Sequence, residues 1–313
     1  MTSPLIAPGP TRSTGTTASV TVRVAGWSLH LPEADGLAAD LAAWSDTSAS
    51  RLTATLADAV PADRAHQVLG RKGLLYKEPA TRLALCAVHR ALGLPPGRHP
   101  PDGVDPRTAV VVAGNLGNVA TVADLARTVH AEGGRAVSPL AAPNASSNVV
   151  ASTVALWFGF GAANLMVCSG ATAGLDAVRA AMLLLRAGRA DRVLVVGAEP
   201  ADEVATELHQ AGRPAFPLRA GAACLVLTTT AVPGTGPVLG PSDGRAAYRR
   251  IGPGGFDPAA RWGDCYGAAG VVNLALAATL LDAGAPGPVT VACGDDTDGV
   301  RELLLDAAPG AGR

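Results

Sequence analysis

One segment of this chain is written twice. Gly170-Ala171-Thr172-Ala173-Gly174 opens an Ala-rich apolar stretch that stops at Gly188, shortly before the apolar run 193–196. Gly267-Ala268-Ala269-Gly270 opens another that stops at Gly284, shortly before 289–292. Fourteen residues separate Gly174 from Gly188, and fourteen separate Gly270 from Gly284. Glycine is the usual residue after the last turn of a helix, because it adopts the left-handed conformation there without strain. The repeat therefore predicts two Ala-rich helices of equal length, each followed by a short buried strand, packed against one another in an internally duplicated chain. Helices alternating with short apolar strands place the chain in the α/β class.

The rest of the chain continues that alternation. Residues 20–27 read as a first strand, 51–69 as a helix and 78–92 as a stronger helix with apolar residues at helical spacing. The run Thr108–Ala113 is apolar throughout, as in a strand buried on both faces. A turn at 114–117 leads into a helix from Asn118 to about His130, followed by a Gly, Pro, Ser and Asn-rich loop over 133–148 and a helix over 149–158. Residues 164–168 read as a strand, 169–170 as a turn, and 192–196 and 222–229 as buried strands. Residues 231–258 carry many Gly and Pro and no clear period, while 288–293 is the strand after the second repeated helix.

Composition limits what such a chain does. With 313 residues, 48% of them hydrophobic, it can bury a large core, and with 4% aromatics that core is built from Ala, Val, Leu and Gly. The net charge of -1 gives no case for a nucleic-acid surface. No apolar run reaches membrane-spanning length without Gly or charge. Residues 1–18, rich in Pro, Thr, Ser and Gly, read as a disordered tail and not as a signal peptide. The cysteines, Cys86, Cys168, Cys224, Cys265 and Cys293, are odd in number and show no C-x-x-C spacing. They predict a reduced cytoplasmic protein with no disulfide framework, no metal site and no other cofactor. Gly159-Phe160-Gly161 lacks the third glycine and the preceding strand of a dinucleotide loop. Asp295-Asp296-Thr297-Asp298-Gly299 opens like a calcium loop but lacks the distal Glu, and reads as a solvated turn.

The motifs also occur in a recognisable order. Pro143-Asn144, the stretch 156–161, Asn164-Leu165-Met166-Val167, the helix ending Arg186-Ala187-Gly188 and the run 193–199 together resemble the N-terminal half of β-ketoacyl synthases. The stretch 263–270 resembles the segment that bears one of that family's histidines. The resemblance implies the thiolase fold, a duplicated αβαβα architecture. It also implies an N-terminal half over 19–230 and an abbreviated C-terminal half over 231–313.

The same resemblance shows where chemistry is missing. Active members carry a cysteine at the turn into the central helix, where free backbone N–H groups and the helix dipole lower a thiol's pKa and ready it for acyl transfer. Here that position is Ala171. Active members also use two histidines in the C-terminal half, to bind the thioester oxygen and to assist malonyl decarboxylation. The histidines of this chain are His30, His66, His89, His99, His130 and His209, and the family's second histidine falls on Asp264. A carboxylate there repels a developing oxyanion. The lysine that precedes that motif in the family falls near Ala259.

Within the family the pattern resembles the chain-length factors of type II polyketide systems. Two differences stand out: many of those carry Gln where this chain has Ala171, and their C-terminal halves are longer. The implied partners are a catalytic ketosynthase, joined as a heterodimer, and an acyl carrier protein. The implied interface is the strand of Asn164, Leu165, Met166, Val167 and Cys168. The implied tunnel wall is one face of the helix after the second strand, where Asn118, Thr121, Val122 and Leu125 share a side and none is aromatic. Two alternatives stand beside this reading. One is a malonyl-carrier decarboxylase or an acyltransferase using a displaced cysteine. Cys168, three residues before Ala171, is the candidate, although a cysteine in such a run is more commonly a buried small hydrophobe. The other is a scaffold that never touches the acyl chain. The basic clusters Arg71, Lys72, Lys77 and Arg186, Arg189, Arg192 either meet the acidic carrier or are scattered surface charge.

Overall fold

The computed structural model describes residues 20–100, 102–212, 215–229, 236–242 and 247–307, and the expected disordered tail over 1–18 lies outside them. The chain runs through β1 (Val22–His30), α1 (Asp35–Ser45), α2 (Ala49–Leu56), α3 (His66–Leu69), α4 (Pro79–Ala91), β2 (Thr108–Ala113), α5 (Val119–Glu132), α6 (Val149–Phe158) and β3 (Asn164–Val167). It continues through α7 (Ala173–Arg186), β4 (Arg192–Glu199), α8 (Glu203–Gly212), β5 (Gly221–Thr229), β6 (Val238–Pro241) and β7 (Arg249–Ile251). Then come α9 (Pro258–Arg261), α10 (Ala269–Asp282), β8 (Val289–Asp295) and β9 (Gly299–Asp306).

The strands form a nine-stranded sheet in the order β3-β2-β4-β5-β1-β6-β9-β8-β7. The duplication is visible in its connectivity. Outward from β1, the sheet passes antiparallel to β5, antiparallel to β4 and parallel to β2. Outward from β6, it passes antiparallel to β9, antiparallel to β8 and parallel to β7. A short antiparallel pairing, Val22 with Leu239 and Arg23 with Val238, joins the two arms. The first arm has an extra parallel strand, β3, beside β2. The second arm has no counterpart to it among the described residues.

The two repeated helices lie in the same place in the two arms, α7 leading into β4 and α10 into β8. Each begins with a 3-10 turn, Gly170–Thr172 and Tyr266–Ala268, and each runs for 14 residues. Gly188 and Gly284 follow their ends at φ 65 and 92, the left-handed cap expected of the glycine stops. The helices cross at their N-terminal glycines, where a Cβ built on Gly174 would lie 2.6 Å from the Cα of Gly270. Only glycine at both positions allows the backbones so near.

α7, α10 and the inner faces of the strands share one core, which includes Leu175, Val178, Val271, Leu274, Val195 and Val291. α4 and α6 cover the other face of the first arm in a second core with Leu83, Leu85, Val110, Val154 and Leu194. The architecture is therefore the thiolase-like α/β fold, with helices and sheet in alternating layers. Among the described residues, the helices packed on β7, β8 and β9 are α7 and α10 of the middle layer. Among the described residues, no outer helical layer covers those three strands as α4 and α6 cover the first arm. No helix is long and apolar enough to cross a membrane among the described residues.

Several boundaries differ from the sequence-based reading. The single helix expected over 51–69 is two, α2 and α3, separated by extended Ala57, by Asp58 at φ 59 and by Pro61. Proline forces the residue before it out of helical geometry, which breaks the run. α1, α8 and β9 were not anticipated, and β6 and β7 fall within the stretch 231–258 that showed no period.

Candidate functional site

The turn into α7 is built by the sequence Ser169-Gly170-Ala171. β3 delivers the chain to it, and Gly170 reverses direction at φ 67. Asn115, from the turn after β2, clamps it in both directions: its Nδ2 donates to Gly170 O at 3.0 Å, and Gly170 N donates to its Oδ1 at 3.1 Å. On the far side Asp176 accepts from Ser169 Oγ at 2.8 Å, Thr172 Oγ1 at 2.7 Å and Arg301 Nε at 3.1 Å.

Ala171 faces a cavity of about 560 Å³. Asp264 lines the same cavity, with Phe216, Trp262, Tyr266, Val272 and Cys293. The two positions named from the sequence as the missing nucleophile and the missing histidine thus share one chamber, although 93 residues apart. Among the described residues, no histidine lines it, and its carboxylates are Asp257, Asp264, Asp295 and Asp296. Asp264 is held from both oxygens: His209 Nε2 donates to Oδ2 at 2.9 Å and Tyr266 N donates to Oδ1 at 2.7 Å. His209, from α8, is buried behind the cavity wall, its ring edge-on to Tyr266 at 5.6 Å.

Behind the turn, Glu199 closes β4 with no exposed surface. Its carboxylate accepts from Asn115 N at 2.6 Å, from Leu116 N at 2.9 Å and from Gly267 N. Burial pushes its carboxyl up to about 8, against the opposing pull of those donors. One carboxylate therefore ties together the turn after β2, the end of β4 and the turn into α10. Sequence reasoning missed Glu199, His209 and Asp298. The signal for Glu199 was present, as the one acid ending an otherwise apolar run.

The cysteines divide clearly. Cys265 and Cys293 line the cavity but are buried, and burial raises both thiols, that of Cys293 to about 12. Cys168 is exposed, contrary to the buried position expected of it, because β3 is the last strand of the sheet. Partial burial and the nearby charge of Glu199 still raise its thiol.

The interface and tunnel candidates lie on β3 and α5, which approach one another at a small crevice between Asn118 and Met166. On β3, Asn164 and Leu165 are exposed and Met166 and Val167 are partly buried. On α5, which has no fully buried residue, Val122 is 44% exposed and Thr121 Oγ1 donates to Glu78 Oε1 at 2.5 Å. Leu125 is half-buried, and Asn118 Nδ2 donates to Asn144 O at 3.2 Å. None of the four α5 candidates lines the large cavity. Asn118 instead shares a crevice of about 30 Å³ with Asn115, Met166 and Cys168, beside the sheet edge. Among the described residues, no group of His, Cys, Asp and Glu is arranged to hold a metal ion.

Known structures share this architecture. The ishigamide ketosynthase/chain length factor superposes with a TM-score of 0.68 at 19% identity, over 91% of this chain and 98% of that one. A type II PKS acyl-carrier protein in complex with its ketosynthase bound to the hexaketide (AntDE:AntF) contains a chain that superposes with a TM-score of 0.66 at 16% identity, over 93% of this chain and all (100%) of that one. No curated protein sequence matches the chain. The family model described as "Beta-ketoacyl synthase, N-terminal domain" matches residues 24–224, which runs from within β1 to the first part of β5 and includes the turn at Ala171, and the chain belongs to the β-ketoacyl synthase family.

Proposed function

We propose that the chain is a ketosynthase-like subunit without condensing chemistry of its own, which pairs with an active ketosynthase in the cytoplasm as a chain-length factor does. The observation that carries this reading is the chamber shared by Ala171 and Asp264. A methyl group stands at the helix start where acyl transfer needs a thiolate. A carboxylate stands where the thioester oxygen needs a donor. The cysteines that line the chamber are buried and have raised thiols.

The pairing surface in this reading is the free side of β3 with the adjoining α5. An edge strand presents unpaired N–H and C=O groups, and Leu165 and Val122 add exposed apolar surface beside it. Asn118, Thr121, Val122 and Leu125 then line a tunnel between the two subunits. Their side chains leave room for a linear acyl chain delivered by an acyl carrier protein. The division into 19–230 and an abbreviated 231–313 belongs to the same proposal.

The test is co-expression with a ketosynthase encoded beside this gene, followed by incubation with acyl carrier protein and intact-mass spectrometry. A stable heterodimer is expected, with no acyl mass added to this chain. A monomer indifferent to the ketosynthase removes the pairing. An acyl adduct that disappears in Cys168→Ala establishes a displaced-thiol acyltransferase instead.

A further inference from the structure

Asp298 lies at the tip of the β8–β9 hairpin, and its Oδ2 accepts from Ala171 N at 2.7 Å. The hairpin fixes it there: Asp295 Oδ1 accepts from Thr297 N at 2.7 Å and from Asp298 N at 2.8 Å. Arg301 Nε, on β9, donates to Asp176 of α7 and ties the hairpin to the helix. Gly170 completes the fit, because a Cβ there would strike the Asp298 carboxylate. The other carboxylates near the turn have donors of their own. Asp176 takes two hydroxyls and Arg301, and Glu199 takes three backbone amides.

We propose that Asp298 is a specificity-determining residue: by occupying the Ala171 amide at the head of α7, it withholds that donor from the oxyanion or carboxylate of an acyl ligand in the cavity that Ala171 lines. The backbone N–H of Ala171 points where a helix start stabilises negative charge. An acyl oxygen that becomes negative needs such a donor. Here the donor is already bound to the chain's own carboxylate, which also repels a second anion. The silence of the site is therefore double, since restoring a thiol at 171 places it beside a negative charge that opposes its ionisation. This rests on reading Ala171 as the lost nucleophile position. The thiol chemistry of the chain alone requires no partner, so it stands or falls separately from the pairing.

The experiment compares Ala171→Cys with the double variant Ala171→Cys/Asp298→Asn. Each is alkylated with neutral iodoacetamide and with anionic iodoacetate across the alkaline range. Peptide mass spectrometry separates position 171 from the exposed Cys168, and circular dichroism verifies the fold. In the single variant the introduced thiol should titrate above the ordinary cysteine value of about 8.5. In the double variant its rate near neutral pH should rise about tenfold, the effect of one unit of pKa, with iodoacetate gaining more than iodoacetamide. Equal rates in the two proteins overturn the proposal. If the double variant does not fold, the single variant decides by charge: iodoacetate slowed at position 171 relative to iodoacetamide, more than it is at the exposed Cys168, supports the proposal, and the same ratio of the two rates at both cysteines overturns it.

Discussion

Glu199 ends β4 fully buried, with three backbone amides around its carboxylate and a carboxyl that burial pushes up to about 8. Between the ordinary glutamate range and that value the folded chain holds a proton that the unfolded chain has released. The stability Glu199 confers is therefore complete below the ordinary range and is lost as pH rises through about 8. His30 acts in the opposite sense. Burial and then Arg90 lower its imidazole to about 4, so stability is lost as pH falls from the ordinary histidine range toward that value. Glu199→Gln removes only the first effect. Urea unfolding at several pH values from 5 to 9 should show the wild type losing on the order of a few kcal/mol more than the variant. Parallel curves would contradict it. At this scale the sequence was legible in Ala171 and Asp264, because each replaces a residue inside a motif. It was silent on His209–Asp264 and on Asp298–Ala171, since contacts across 55 and 127 residues leave no local pattern.

The crossing of α7 and α10 makes a sharp prediction about their glycines. Gly174→Ala places a methyl group 2.6 Å from backbone that has nowhere to move, and should cost about 3 kcal/mol or more. Gly188→Ala meets nothing within 4 Å and pays only for its left-handed φ of 65, about 1–2 kcal/mol. Equilibrium denaturation of the two variants should therefore rank them, and a Gly174→Ala no worse than Gly188→Ala would dismiss the crossing. The repeated helices were readable because both the glycine stops and the apolar stretch between them are local signals. The elements that escaped notice have weak ones. α1 contains Gly36 in its first turn and shows no side-chain cap. α8 buries only Ala205 and His209, too thin a stripe to register as a period. β9 opens with exposed or half-exposed residues, including Arg301 and Glu302, and its buried run is only Leu303, Leu304 and Leu305.

At the scale of the whole molecule, β3 and α5 each carry an exposed apolar side chain, Leu165 and Val122, and one substitution at each tests pairing and tunnel. Leu165→Arg puts a charge on the edge strand at a site already 40% exposed. It should leave circular dichroism unchanged and weaken association with the ketosynthase about tenfold or more, as read by analytical ultracentrifugation. Val122→Trp adds bulk on α5 without disturbing the core. If α5 lines the tunnel, the reconstituted pair should release shorter products; a pair that forms and releases products of unchanged length would place α5 outside the tunnel, and loss of the pair would assign Val122 to the pairing surface alone. The fold class was legible from the repeat, but strand order was not, because no local signal says which strand is outermost. That order has a further consequence. The far end of the sheet, β7, is three residues long, and its outer side is taken by the chain itself: Phe256 N donates to Arg250 O at 2.9 Å and Gly252 N to Phe256 O at 2.8 Å. Its arginines are engaged as well, Arg249 with the carbonyls of Trp44 and Ser45 and Arg250 with Glu302. Among the described residues the sheet is thus covered at one end and open at the other, so if pairing runs through β3 as proposed, the protein should have a valence of one: growth should stop at a pair and not run on into a filament.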